Sequence, residues 1–263
     1  YKGIIPKVSY SLSNDRFNTR MAVMSYNSSD GSFGENPVFL RSTEGKNRIR
    51  QFASASVRFY TSMATANSAV YPRWGVGVEA GATGSIESYD YLSPMGYVYG
   101  YGYVPGFIKT QGMKLTAIWQ TKLRKESLFS QQAVSILPRG FNKTPSLGSW
   151  LSVRNDNMVK VTADYAIPIY IGEVALGGNF FSIKRLILSP HFDYTFVGKN
   201  GLWSAGSEFL LDLHSILTLE WPVQIGVTYS FNGGTKGYFS ALSHNTGLKM
   251  KRHFWDFVFN VTF

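Results

Sequence analysis

The chain has 263 residues, a formal net charge of +10 and a heavy load of Gly (26), Phe (19), Tyr (16) and Trp (6). No apolar run approaches the roughly 20 residues of a membrane-crossing helix, which excludes a helical membrane protein. The absence of cysteine removes disulfide frameworks and thiolate metal sites, and the scattered basic residues, with no basic helix or recognition motif, argue against nucleic acid.

What remains is strict alternation of apolar and polar residues, the mark of strands with two unlike faces. It begins at residues 7–12, where Val8, Tyr10 and Leu12 oppose Lys7, Ser9 and Ser11. Asn14 and Asp15 read as a short turn before a second strand at 17–26, and the polar stretch 27–47 as a long solvated loop. Residues 52–60 put Ala53, Ala55, Val57 and Phe59 outward and Ser54, Ser56 and Arg58 inward. Residues 74–82 set Trp74, Val76, Val78 and Ala80 against Gly75, Gly77, Glu79 and Gly81, glycines expected to face the lumen where a strongly curved sheet or a close-packed loop needs room. A second polar loop spans 84–95. The tyrosines Tyr97, Tyr99, Tyr101 and Tyr103 then share one face, which suits an aromatic girdle at a membrane interface, the alternative being a cross-strand aromatic stripe in a soluble sheet. Residues 114–122 follow, with Leu115, Ala117 and Trp119 outward.

Beyond the long loop 123–157, Val159, Val161, Ala163, Tyr165 and Ile167 oppose Lys160, Thr162, Asp164 and Ala166. Leu188, Phe192, Tyr194 and Phe196 oppose Ser189, His191, Asp193 and Thr195. Strands at 204–213, 223–231 and 254–263 complete about eleven. The longer connections all fall on one side, as in outer-membrane barrels, where turns are short at one end and loops long at the other. The expected fold is therefore all-β: an antiparallel transmembrane barrel with an apolar band toward lipid and a polar lumen.

Three short segments stand out: 136–141 (Ile-Leu-Pro-Arg-Gly-Phe), 162–169 and 189–194. Asp164 and Asp193 each place a carboxylate in the middle of a polar strand face. Arg139, beside the turn-forming Gly140, carries a guanidinium fork able to reach both. The other inward carboxylates, Glu79, Glu208 and Asp256, read as partners for Arg58, Lys114, Lys160 and Arg139. The four histidines, His191, His214, His244 and His253, show no metal spacing. A His191–Asp193 pair awaiting a serine lacks any Gly-x-Ser-x-Gly context. No cofactor motif is present, and no enzymatic activity is expected.

On these segments the chain resembles the BamA/TamA surface-antigen superfamily of outer-membrane assembly and translocation barrels. The family's inward-folding loop carries a (Val/Ile)-Arg-Gly-(Phe/Tyr) motif, matched by Arg139, Gly140 and Phe141 after Pro138 in place of the aliphatic residue. Its next strands carry Glu-x-x-x-Pro, echoed by Asp164 to Pro168, and Phe-x-Asp-x-Gly, echoed by Phe192 to Thr195 with Thr195 replacing the glycine. Phe263 is similar to the terminal aromatic of the family's insertion signal. The resemblance implies that residues 1–263 are the C-terminal part of a sixteen-strand barrel in the outer membrane of a Gram-negative bacterium, with upstream strands or a periplasmic domain elsewhere. It implies a latch of Arg139 on Asp164 and Asp193 holding loop 123–157 inside. It also implies a role in assembly or translocation of outer-membrane or secreted proteins. The partners expected are outer-membrane lipid, lipopolysaccharide, unfolded barrel clients and other complex subunits. A membrane anchor for a missing soluble domain, and a diffusion channel or transporter, are the alternatives.

Overall fold

Ten strands pair edge to edge in a single antiparallel sheet, ordered β1-β4-β5-β7-β8-β10-β11-β12-β13-β14. They are β1 (Lys2–Asp15), β4 (Arg48–Ser62), β5 (Gly75–Ser85), β7 (Met95–Pro105), β8 (Gly112–Lys122), β10 (Asn157–Leu176), β11 (Phe181–Val197), β12 (Asn200–Ile216), β13 (Val223–Gly234) and β14 (His253–Val261). β2 (Ala22–Tyr26) and β3 (Phe33–Phe39) form a separate hairpin, and β6 (Leu92–Ser93) pairs with β9 (Phe129–Ser130). A nine-residue helix, Tyr238–Thr246, lies between β13 and β14. The computed structural model describes residues 1–15, 22–26, 33–39, 48–66, 68–86, 92–124, 129–130, 134–142, 144, 147–148, 151, 155–176, 181–216, 223–246 and 250–261. β1 and β14 end the order and are not paired with each other.

Several sequence expectations change. Asn14 and Asp15 continue β1, paired with Ile49 and Arg48, instead of turning. Of the second expected strand, residues 22–26 form β2, which pairs with β3 in the stretch read as loop and not with the main sheet, while 17–21 lie outside the described residues. Among the described residues the main sheet has ten strands, in keeping with the count of about eleven.

Register decides which side chains share a face, since a strand's own alternation leaves its relation to its neighbour open. One row runs Ile4, Phe59, Val78, Gly100, Ala117, Val161, Tyr194 and Trp203 across eight strands. This outer face is exposed and apolar: Val8, Phe59, Val78, Leu115, Trp119, Phe192, Phe209, Trp255, Phe257 and Phe259 all project from it. The other face, here called inner, carries Arg58, Glu79, Lys160, Asp164, His191, Asp193, Ser204 and Ser230, most of them buried.

The tyrosine row of β7 belongs to this inner face and not to an outer girdle. Tyr97, Tyr99, Tyr101 and Tyr103 pair with Gly81, Glu79, Gly77 and Gly75. A Cβ at Gly77 would overlap the Tyr101 ring. The glycines are thus occupied by rings from the adjacent strand, where the sequence reading expected only wall curvature or a close-packed loop.

Two segments cover the inner face. Ile136, Leu137, Phe141, Leu147 and Leu151 of the β8–β10 connection bury themselves against Met95, Met158, Val197, Leu202, Phe239 and Leu242. From the opposite end of the strands, Val70 and Tyr71 of the β4–β5 connection pack on Ala166, Ile187 and Leu210, together with Val258. Fully burying one such side chain contributes about 1.5–3 kcal/mol, so both segments are held mainly by apolar contact. The polar contacts decide where each is held.

Candidate functional site

Successive rows of the inner face grip successive residues of the entering loop. Lys160 and Thr195 are register partners on β10 and β11. Lys160 Nζ donates to the Leu137 carbonyl at 2.6 Å, and the Thr195 hydroxyl donates to the Ile136 carbonyl. The next row consists of Asp193, Ser204 and Asn232 on β11, β12 and β13. Asp193 Oδ2 accepts the Arg139 amide at 2.7 Å, Ser204 Oγ accepts the Gly140 amide at 3.5 Å, and Asn232 Nδ2 donates to the Gly140 carbonyl at 2.9 Å. Inner side chains repeat every two residues, so the loop descends one row in about 6.6 Å of strand.

Pro138, with φ fixed near −57° and ψ at 146°, is extended just before a single 3-10 turn, Arg139–Phe141. Gly140 is required by close approach: a Cβ there would come within 2.7 Å of Asn232 Cγ. Phe141 is 2% exposed and meets the Phe239 ring at 5.9 Å between centroids, which ties the loop to the helix Tyr238–Thr246.

Arg139 ends this descent. Its Nη2 donates to Asp164 Oδ1 at 2.5 Å, its Nε to Asp193 Oδ2 at 3.1 Å and its Nη1 to Glu208 Oε1 at 2.8 Å. The structure thus brings together Arg139, Asp164 and Asp193 and adds Glu208, so three consecutive strands each contribute a carboxylate. Burial opposes the guanidinium's charge, but Asp193, Asp164 and Glu208 outweigh it and hold its pKa above the ordinary arginine range. One fork-shaped cation reaching three strands at once is geometry that lysine cannot reproduce.

No family model, curated protein or solved structure matches this chain.

A second arginine, which the sequence reading passed over, plays a comparable part under the β4–β5 connection. Arg185 on β11 donates through Nη2 and Nε to Asp212 Oδ2 at 2.6 and 2.9 Å, and through Nη1 to the Ala69 carbonyl at 2.6 Å. Gln224 Nε2 holds the other Asp212 oxygen at 2.8 Å. Burial, followed by the charges of Asp164 and Glu208, pushes the Tyr71 phenol above its ordinary pKa. The two inward segments therefore share one electrostatic neighbourhood. The visible signal was Asp212 within the alternation of β12, but its partner on β11 depends on irregular register between Ser182 and Arg185.

The remaining expected pairs divide. Arg58 Nε reaches Glu79 Oε2 at 2.7 Å, and Tyr97 donates to Glu79 Oε1 at 2.8 Å. Lys160 binds a backbone carbonyl where a carboxylate was expected. Asp256 accepts the Phe257 amide. His191 meets Ser230 Oγ at 3.0 Å, but among the described residues its Nδ1 has no partner and no acid orients the ring as a catalytic triad needs. Among the described residues no group of three or more His, Asp and Glu is arranged to hold a metal ion. Phe263 lies outside the described residues.

Proposed function

We propose that this sheet is the C-terminal portion of an outer-membrane barrel, that loop 123–157 plugs it, and that the protein assists assembly or translocation of other outer-membrane or secreted proteins. The observation that carries the reading is Arg139, brought into the inner face by its loop and joined to carboxylates on β10, β11 and β12. The continuous apolar outer face supports a lipid environment, because an exposed patch of that extent is otherwise uncommon on a monomeric soluble protein. Open sheet edges do not persist in hydrocarbon, so on this reading further strands close the gap between β1 and β14. The resemblance of the 136–194 region supplies the role.

A polar cavity of about 380 Å³ between Lys7, Ser9, Ser54, Ser56, Glu79, Tyr97 and Val134 favours a second reading, a diffusion channel. Reconstitution of the full-length protein in proteoliposomes separates the two. An assembly factor accelerates insertion of an unfolded porin and conducts little current until Arg139 is replaced. A large steady current in the unaltered protein, without any effect on porin insertion, supports the channel and refutes assembly.

A further inference from the structure

The long-loop end of β11–β14 combines two features that no role in plugging requires. The first is unbalanced charge. Lys199 sits in the turn between β11 and β12, Lys236 two residues after β13, and Lys251 and Arg252 directly before β14, all exposed. The sequence has no Asp or Glu between Glu220 and Asp256. Among the described residues none of these four cations is paired with a carboxylate, and Arg252 lies over the Phe239 ring at 5.6 Å.

The second is a band of rings on the outer face immediately below that rim. Trp203 and Phe231 lie 5.7 Å apart, Tyr194 and Phe196 4.6 Å, and Tyr229 and Trp255 4.6 Å, while Phe231 meets His253 at 5.2 Å. Register joins them to the rim: Trp203 faces Gly233 one residue from the end of β13, and Phe231 faces His253, the residue after Arg252.

Resting on the membrane reading above, we infer that this rim and band together seat a lipid whose head group carries phosphate, the chemistry of the lipid part of lipopolysaccharide. The phosphates meet Lys199, Lys236, Lys251 and Arg252, and the acyl chains lie along Trp203, Phe231 and Trp255. Charge complementarity selects an anionic head group, and continuity with the apolar face selects one that bears chains. A soluble phosphate uses only the first feature, and a nucleic acid leaves the aromatic band bare.

The test uses full-length protein in nanodiscs of phosphatidylcholine with or without bis-phosphorylated lipid A, reading the lipid A retained per protein after detergent exchange. The triple variant Lys199→Gln, Lys236→Asn, Arg252→Gln removes three cations, asparagine being tolerant of the left-handed backbone at 236 (φ 46°). At about fivefold per cation near an anionic surface, retention falls at least tenfold. Lys199→Arg with Arg252→Lys keeps it, and Arg73→Gln with Lys109→Gln, at the opposite end of the strands, leaves it unchanged. Equal retention by wild type and triple variant overturns the inference, as does equal loss in the opposite-end control. Flotation of the same samples reports membrane insertion separately. Protein that inserts but shows no lipid A preference overturns the lipid site alone, whereas protein that does not insert overturns the barrel reading together with it.

Discussion

Asn232 closes directly over Gly140: its Nδ2 donates to the Gly140 carbonyl at 2.9 Å and to the Lys251 carbonyl at 3.0 Å. One amide on β13 thereby ties the loop on the inner face to the chain entering β14. No short side chain fits between the loop backbone and that amide. Gly140→Ala is expected to lower stability by about 1–3 kcal/mol through overpacking. Asn232→Ser in the same chain is expected to restore part of the loss. Thermal unfolding measures both, and an unchanged melting temperature for the single variant would contradict the packing described.

Arg139 joins three carboxylates, so its removal leaves negative charge uncompensated at a partly buried site. Arg139→Ala is expected to cost about 1–3 kcal/mol, and Arg139→Lys to recover little of it. Asp193 is fully buried and also takes the Arg139 amide, whereas Glu208 is one-fifth exposed. Denaturant titration should therefore rank Asp193→Asn as more damaging than Glu208→Gln. The reverse ranking would mean that the guanidinium, and not the loop backbone, is the main attachment.

Arg185 anchors the β4–β5 connection through the Ala69 carbonyl. Arg185→Ala should speed amide hydrogen exchange at residues 69–71 while leaving β7 and β8 protected, because those strands keep their own ladder. Uniform acceleration across the sheet would show that Arg185 supports the whole fold instead of that one segment.

Since the chain has no cysteine, single introduced thiols report each face without background. On the membrane reading, Phe257→Cys, 85% exposed on the outer face, reacts with lipid-soluble but not with water-soluble maleimide in bilayers. Tyr101→Cys on the inner face shows the opposite preference. Matching reactivity at the two positions would remove the distinction between a lipid face and an aqueous one.

Much of this was present in the residue order. Period-two alternation fixes the strands and the membership of each strand's two faces, because side chains in extended backbone point to opposite sides in turn. An arginine beside Gly140, together with aspartates in the middle of polar strand faces, already indicated which charges suit one another. The girdle expectation for Tyr97 to Tyr103 failed at the next level. Alternation groups those rings together but leaves open which way the group points until pairing with Gly75, Gly77 and Gly81 sets it.

Tertiary structure alone decided what crosses between strands. Glu208 joins Arg139, Asn232 meets Gly140 and Arg185 finds Asp212 because hydrogen-bonded register aligns residues distant in the chain, and a shift of one residue would turn each of them to the other face. The amino-acid order determined two unlike surfaces and the charges available on one of them. Only the folded sheet determined which of those charges meet, since that depends on distances between strands that no single strand encodes.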